Sequence, residues 1–245
     1  MLIASSRHTH WLSNSWLVAD KVGGEAVLID SGGPSAEIDG FIADNQLTLR
    51  HVLCTHHHYD HVANNDHYYR AYKCDICAHA NESNLIDGDV IELNDKQVLN
   101  CGGLEISCLH IPGHTSGQLA FYINQQALFT GDTLFAGSVG GTMGPDNTSF
   151  EQLQHSILEV LFSLPPQTIV YPGHMQATTL GDEFENNPFV RVWRGLEKCL
   201  AQDCTVNGRH SKLLLRAADY DGGTKCWVQD ENGLMNIVAG SQVIS

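Results

Sequence analysis

The stretch Thr55-His56-His57-His58-Tyr59-Asp60-His61 indicates more about this chain than any other part of its sequence. Four of its seven residues are histidines and one is an aspartate, and the apolar run His51-Val52-Leu53-Cys54 leads directly into it. Such a run is typical of a short buried strand, so the histidines begin where a strand ends. Neutral imidazoles and carboxylates are the usual protein ligands of zinc and related divalent ions. The stretch therefore predicts a metal site in a loop that follows a strand.

The spacing of the donors within the stretch indicates how they are shared. Side chains alternate along an extended segment, so His56 and His58 point to the same side and His57 points away. We expect His57 to face solvent or a neighbouring side chain. Asp60 and His61 follow immediately and can turn toward a second ion close to the first.

Three later motifs each place a candidate ligand at the end of a predicted strand: Ile111-Pro112-Gly113-His114-Thr115-Ser116-Gly117, Phe129-Thr130-Gly131-Asp132-Thr133-Leu134-Phe135 and Val170-Tyr171-Pro172-Gly173-His174. Together with the histidine stretch, they resemble the signature of the metallo-β-lactamase superfamily in order and in spacing. The resemblance covers residues 17–189, which is most of the chain.

The resemblance implies seven ligands for two divalent ions: His56, His58 and His114 for one, Asp60, His61 and His174 for the other, and Asp132 bridging both. Zinc is the expected ion, although iron and manganese accept the same mixture of donors. Two such ions make a bridging hydroxide available at neutral pH, and Asp60 is placed to hold the water and to accept its proton. In the segment Asp30-Ser31-Gly32-Gly33, the aspartate is implied to support the ligand loop, but a turn aspartate explains the pattern equally well.

The predicted order of elements favours an α/β fold. Two strands, a helix over residues 36–47 and the strand before the histidines open the chain, and further strands and helices follow, including helices predicted over residues 62–72 and 149–164. We expect a four-layer αββα sandwich of two mixed sheets flanked by helices over residues 1–200, with the metal site between the sheet edges. Residues 201–245 are predicted to form a small β-rich extension, with strands at 212–217, 224–229 and 234–239. This extension is expected to pack on the main domain or to support a homo-oligomer.

Composition limits the partners that we expect. The chain has 13 Lys and Arg against 28 Asp and Glu, a net charge of −15, which argues against a nucleic-acid partner. No apolar run approaches the roughly 18 residues that a membrane span requires. The segment Met1–His8 lacks the apolar core of a secretory signal, so we expect a cytoplasmic protein with a small-molecule substrate.

Eight cysteines raise the question of disulfides or a zinc finger. Cys74-Asp75-Ile76-Cys77 contains the only C-x-x-C pair, and no second pair lies at finger spacing. Buried, reduced thiols are the expected state in a cytoplasmic protein. A redox pair or a structural zinc site is the alternative.

The wording of the motifs most resembles the glyoxalase II branch of the superfamily, whose members hydrolyse thioesters. An aspartate at 132 instead of a cysteine argues against a secreted β-lactamase. Two departures bear on the substrate: the segment 137–143 has no basic residue where that branch carries one for its anionic thiol carrier, and no helical glutathione-binding domain is evident. A lactonase or another ester hydrolase remains within the same reading.

Two other functions remain open. A persulfide dioxygenase of the same fold would use a single iron held by His56, His114 and Asp132, since two histidines and a carboxylate suit Fe(II) and O₂. A binding protein that kept the fold and lost turnover is the non-enzymatic alternative. Metal-dependent hydrolysis of an activated carbonyl is the function that the intact set of seven ligands favours.

Overall fold

The run before the histidines is a buried strand in the middle of a six-stranded mixed sheet, as predicted. The computed structural model describes residues 1–144, 146 and 148–245. The strands of this first sheet follow one another in chain order: β1 Leu2–Arg7, β2 Asn14–Ala19, β3 Glu25–Ile29, β4 Thr48–Leu53, β5 Asp75–His79 and β6 Val90–Leu93. The first three are antiparallel, and β3 to β6 run parallel. The carboxyl ends of the parallel strands therefore lie at one edge.

The second sheet also has six strands: β7 Val98–Cys101, β8 Leu104–His110, β9 Leu119–Ile123, β10 Ala127–Gly131, β13 Ile169–Pro172 and β14 Thr178–Thr179. Their spatial order is β14-β13-β10-β9-β8-β7, and only β10 and β13 pair in parallel. In the chain, β10 and β13 are separated by a short antiparallel ribbon, which consists of β11 Leu134–Phe135 and β12 Ser138–Val139.

The described residues form these α-helices: α1 Ser35–Asp44, α2 Tyr59–Val62, α3 Asn65–Tyr72, α4 Ala80–Ser83, α5 Phe150–His155, α6 Leu180–Asn186 and α7 Pro188–Trp193. The helix predicted from Val62 to Tyr72 is present as α3, but it begins at Asn65, because two residues separate it from α2. At the break, the Asn64 side chain donates hydrogen bonds to the carbonyls of Ser31 and Gly33. The helix predicted from Ser149 to Leu164 is present, but its second half is a π turn and a 3₁₀ turn. None of the described helices combines the length and apolar character needed to span a bilayer.

Alternation along the strands creates the layers. In the first sheet, Leu17 and Leu28 face outward and pack with Ile38 of α1, whereas Val18 and Ile29 face inward. These inward side chains share one core with residues of the second sheet, including Phe121 and Phe129. The outer face of the second sheet packs on α5 and α7 through Leu128, Phe150 and Phe189. The predicted four-layer αββα sandwich of two mixed sheets is confirmed.

The end of the chain forms a third, five-stranded antiparallel sheet of β15 Gln202–Val206, β16 Arg209–Ala218, β17 Thr224–Asp230, β18 Met235–Ala239 and β19 Val243–Ile244. All three strands predicted here are present. The sheet packs on the sandwich through Trp227, whose ring stacks on Phe150 at 5.3 Å and meets Trp193 edge-on. The extension therefore shares a core with the main body. Its division from residues 1–200 as a separate unit stays a prediction.

All eight cysteines are free thiols, and seven of them are buried. Burial raises the pKa of Cys74 to about 11 and that of Cys77 to about 12, so neither forms a reactive thiolate at neutral pH. The expected burial of the thiols is confirmed for these seven, and their reduced state stays a prediction. Cys199 is the exception, because it is exposed.

The Trp227 contact leads to a stability prediction. Trp227→Ala removes a nearly buried ring between the third sheet and α5, and we expect it to lower the free energy of unfolding by about 3–5 kcal/mol. Leu234→Ala, on an exposed turn of the same sheet, is expected to change it by no more than about 0.5 kcal/mol. Urea denaturation followed by circular dichroism measures both. Equal losses in the two variants would contradict docking through Trp227.

Candidate metal centre

The structure brings all seven predicted ligands together at one edge of the sandwich. Each follows the end of a strand: His56 and His58 come after β4, His114 after β8, Asp132 after β10 and His174 after β13. Asp60 and His61 lie in the one-turn helix α2, which begins directly after His58. The two sheets thus present their loops to a common point, as loops on an α/β scaffold commonly do.

Three histidines form the first group of donors. His58 Nδ1 lies 3.1 Å from His56 Nε2 and 3.0 Å from His114 Nε2. One nitrogen from each ring therefore converges on a single point, and these three side chains form a candidate metal-binding group. Three imidazoles leave a fourth position open in a tetrahedral site, which is typical of catalytic zinc.

Asp60, His61 and His174 form the second group. Asp60 Oδ2 lies 3.5 Å from His61 Nε2 and 3.6 Å from His174 Nε2. Asp60 is the more exposed member, since about a quarter of its side chain is open to solvent. A carboxylate that is open to solvent on one side can bind an ion and still contact a water molecule.

Asp132 lies between the two groups. Its Oδ1 is 3.3 Å from His61 Nε2, and its Oδ2 is 3.3 Å from His174 Nε2 and 3.7 Å from His114 Nε2. The carboxylate therefore reaches histidines of both groups. This is the position that a bridging ligand requires.

Asp30 orients the second group from outside the cluster. Its carboxylate accepts hydrogen bonds from the Thr55 backbone N–H at 2.7 Å and from the Thr55 hydroxyl at 2.8 Å. Its Oδ2 also lies 2.8 Å from His61 Nδ1, which directs His61 Nε2 toward the cluster. A third group of donors that could hold an ion consists of Asp30, His56 and His61. In this group, however, the carboxylate of Asp30 already bonds Thr55 and His61. The structure favours the supporting role over the turn interpretation.

Two other ligands are oriented in the same way. His114 Nδ1 lies 2.9 Å from the carbonyl oxygen of Gly141, and His56 Nδ1 lies 3.0 Å from the Thr55 hydroxyl. An outer partner fixes the ring and leaves Nε2 for the cluster. The His174 loop is held by Asn14, whose side chain donates to the carbonyls of Pro172 and Met175.

Gly173 is needed for the close approach of this loop to Asp132. A Cβ atom at position 173 would lie 2.2 Å from Asp132 Oδ1 and 2.8 Å from a carbon of the His61 ring. Neither neighbour can move without displacing a candidate ligand. The glycine of the Tyr171-Pro172-Gly173-His174 motif is therefore explained by packing against the centre.

Burial and charge divide the histidines of the centre. Burial lowers the pKa of His56 well below its usual value, and it lowers that of His114 to about 4, so both rings are neutral ligands at pH 7. Burial also acts on His61, but the negative charges of Asp132 and Asp30 outweigh it and raise the pKa to about 10. Burial opposes ionisation of Asp132, yet the charges of His174 and His61 hold its pKa well below the usual range.

The donor set fits divalent ions. Within the described residues, the buried atoms His61 Nε2, Asp132 Oδ1 and His174 Nδ1 have no hydrogen-bond partner. Leaving buried polar atoms unsatisfied costs about 1–3 kcal/mol each, so atoms such as His61 Nε2 and Asp132 Oδ1, which face the cluster, call for a ligand. Nitrogen and carboxylate donors suit zinc, iron and manganese. The clusters therefore indicate divalent-metal binding, and the assignment of individual ligands stays a prediction.

His57 points away from the cluster, as predicted, and meets a residue that the sequence did not single out. Its ring and its backbone N–H both contact the carboxylate of Glu82, which is fully buried. The other oxygen of Glu82 accepts the Gly117 backbone N–H at 2.6 Å. Burial lowers the pKa of His57, but Glu82 outweighs it and raises the pKa above its usual value. Glu82 thus joins the His56–His61 loop to the His114 loop, and a lone glutamate in a helical turn gives no sequence signal for this.

The third sheet forms one wall of the centre, which the sequence did not indicate. A cavity of about 290 Å³ opens onto His58, His114 and Asp132, and its far wall comes from residues 220–242. The Tyr220 ring stacks on His174 at 4.0 Å. A second cavity of about 400 Å³ lies beside Asp60 and is lined by Trp11, Tyr59 and again Tyr220.

The Asp30 contacts lead to a prediction about metal affinity. Asp30→Asn weakens the bonds to Thr55 and His61, and we expect the affinity for Zn²⁺ to fall about 10- to 100-fold. Titration against a chromophoric chelator measures the affinity. Asp39→Asn is the matched control, because Asp39 also bonds a histidine, His67, outside the cluster. An unchanged affinity in Asp30→Asn would show that the ligand loop is held without it.

The comparisons with known proteins agree with this geometry. A "Probable polyketide biosynthesis zinc-dependent hydrolase BaeB" from Bacillus velezensis is 31% identical over 211 residues, covering 84% of this chain and 90% of that protein. A hydroxyacylglutathione hydrolase from Pelagibacter ubique is 31% identical over 161 residues, 65% of either chain. The crystal structure of ETHE1 from Myxococcus xanthus superposes with a TM-score of 0.70 at 26% identity, covering 80% of this chain and 92% of that one. The sequence profile of the metallo-β-lactamase superfamily matches residues 8–174, and the chain therefore belongs to this superfamily.

Proposed function

We propose that this protein is a dinuclear metal-dependent hydrolase that attacks the activated carbonyl of a thioester. The position of Asp132 carries the proposal. Its two carboxylate oxygens reach His61 on one side and His114 and His174 on the other, so the two donor groups can share it. A single-ion enzyme would have no need for the complete second group of Asp60, His61 and His174.

The side chains of the protein hold the metal ions and position the substrate, and the ions activate the water molecule and the carbonyl. When bound, two divalent ions lower the pKa of a water molecule enough to provide hydroxide at neutral pH, and they polarise the carbonyl of the substrate. His56, His58 and His114 would hold one ion, and His61 and His174, with Asp60, would hold the other. No serine or cysteine nucleophile is required.

Asp60 is the group that we assign to proton transfer. Its carboxylate faces the second cavity while Oδ2 lies near His61 and His174. One oxygen can therefore serve the ion, and the other can accept the proton of the attacking water. The neighbouring Tyr59 and Trp11 rings meet edge-on and form the apolar side of this cavity.

The relatives support the substrate class. The Pelagibacter ubique relative is named a hydroxyacylglutathione hydrolase and the Bacillus velezensis relative a zinc-dependent hydrolase, so both names describe hydrolysis and the second also names zinc. The wording of the four motifs in this chain resembles the same thioester-hydrolase branch. The negative net charge further supports an enzyme that acts on a small molecule and not on a nucleic acid or an anionic membrane surface.

A second function is supported by one observation, the similarity to the ETHE1 structure. A persulfide dioxygenase would need one iron on His56, His114 and Asp132, and these three side chains are also present and adjacent. The two proposals differ in the number of ions and in the need for His61 and His174.

Metal analysis separates the two proposals. We expect freshly purified protein to hold two ions per chain, with zinc as the main one, and His61→Ala to hold one, because it removes a donor of the second group only. His67→Ala, on an exposed histidine outside the centre, should keep both. Elemental analysis by mass spectrometry gives the count. One iron per chain that added zinc cannot raise to two would refute the dinuclear proposal.

Activity assays test the reaction class. We expect the zinc-loaded protein to hydrolyse thioesters, and Asp132→Asn to lose at least about 10³-fold in kcat, because its bridging carboxylate is gone. A panel of thioesters and lactones, followed by the release of thiol or acid, provides the measurement. Oxygen consumption with a persulfide, in the absence of any hydrolysis, would favour the iron enzyme instead.

A further inference from the structure

The cavity beside His58, His114 and Asp132 has an unusual wall. Its other side is formed largely by apolar groups of the ribbon and of the third sheet, including Phe135, Ile237 and Val238. Lys225 of β17 is the only lysine or arginine among the described residues that line this cavity or the one beside Asp60. A single cation thus faces the metal centre in a chain that carries a net charge of −15.

Lys225 is held in place from two sides. Its Nζ lies 3.0 Å from Asp219 Oδ2, and the other oxygen of Asp219 accepts the hydroxyl of Ser138 at 3.1 Å. Its Nζ also lies 5.4 Å from the centre of the Tyr220 ring, which is the ring that stacks on the candidate ligand His174. Lys225 is therefore tied both to the ribbon after Asp132 and to the centre itself.

The buried position of this pair needs a reason other than stability. Lys225 and Asp219 are 7% and 8% exposed, and a pair this buried gains little net stability because both charges lose their water. An ammonium group has three N–H donors, and one ion-pair contact with Asp219 leaves donors for a group in the cavity. A pre-positioned ammonium in the wall of a cavity that opens onto His58, His114 and Asp132 is suited to recognise an anion.

We propose that Lys225 is a specificity-determining residue that binds a carboxylate of the substrate while the scissile carbonyl lies at the metal centre. A monoanion fits better than a phosphate, because Asp219 is adjacent and would repel a dianion. The proposal rests on the hydrolase function proposed above and adds that the third sheet selects the substrate. Among the described residues that line this cavity, Lys225 is the only lysine or arginine. It comes from the far end of the chain and is linked through Asp219 and Ser138 to the segment 137–143, which has no lysine or arginine of its own.

The test compares substrates that differ only in charge. One pair is the butyryl thioester of 3-mercaptopropanoate and that of 3-mercaptopropanamide, and a second pair carries the carboxylate or the amide on a glutaryl acyl group. We expect the zinc-loaded wild type to favour the carboxylate in at least one pair. Lys225→Met should lower the carboxylate-to-amide ratio of kcat/KM about 10- to 100-fold, the range of one charge-assisted hydrogen bond, and Lys225→Arg should keep most of it.

A structural role of Lys225 gives different results. Lys225→Met leaves the Asp219 carboxylate buried without its partner, so the double variant Asp219→Asn/Lys225→Met, whose pair is neutral, serves as the second test. If the double variant folds like the wild type by thermal melting and loses the carboxylate preference, the proposal stands. Equal losses on carboxylate and amide in all variants, or a wild type without any preference, would overturn it.

Binding measurements keep this test separate from the proposed function. The non-hydrolysable thioethers 3-(butylthio)propanoate and 3-(butylthio)propanamide, and the matching pair charged on the acyl side, are titrated calorimetrically into the zinc-loaded protein. A carboxylate preference that disappears in Lys225→Met supports the anion site even if no thioester is hydrolysed. Hydrolysis of thioesters without any such preference would support the enzyme and refute the role of Lys225.

Discussion

The carboxylate of Asp30 is the constraint on which the metal centre depends. The residue Asp30 directly follows β3 and has a left-handed backbone conformation, with φ of +55°, which a non-glycine residue rarely adopts. From there it accepts two hydrogen bonds from Thr55 and lies 2.8 Å from His61 Nδ1. The residue after β3 thus fixes the loop after the neighbouring strand β4, and this contact positions His56 and His61. Hydrogen bonds to a charged group are worth about 1.5–3 kcal/mol each, enough to hold this strained residue.

The charges within the cluster are arranged so that the candidate ligands can lie close together without strong mutual repulsion. His56, His58 and His114 are buried among one another, and burial keeps His56 and His114 neutral. His61 lies among three carboxylates, and their charge offsets its burial. The first group therefore presents lone pairs directly, whereas in the second group the three carboxylates favour a positive charge beside His61. The two donor groups therefore differ electrostatically although both contain histidines, and Asp132 is shared between an electrically neutral and an acidic neighbourhood.

The convergence of the seven candidate ligands could be predicted from the sequence because each lies in a short local motif at or just after the end of a strand, and the sheets bring such ends together. The split of α2 from α3 was missed because it depends on Asn64 bonding to a loop 31 residues away. Glu82 was missed for the same reason: its partners, His57 and Gly117, lie 25 and 35 residues away and nothing in their spacing marks it. The strands of residues 212–239 were recognised by alternation, but alternation says nothing about which body a sheet packs against. Strands can be predicted from local sequence, whereas the residues that line a cavity depend on contacts between distant parts of the chain.

The position of the third sheet changes how the segment after Asp132 should be understood. Judged from sequence, the lack of a basic residue in 137–143 weakens the case for an anionic substrate. In the fold, Ser138 of that segment bonds Asp219, and Asp219 pairs with Lys225, so the charge missing from one segment is present at the same wall. Lys225 belongs to the sheet that Trp227 docks on the sandwich, and the packing that anchors this sheet also sets the distance between the cation and the metal centre. Substrate selection and the stability of the C-terminal sheet are therefore coupled in this chain by a single strand, β17.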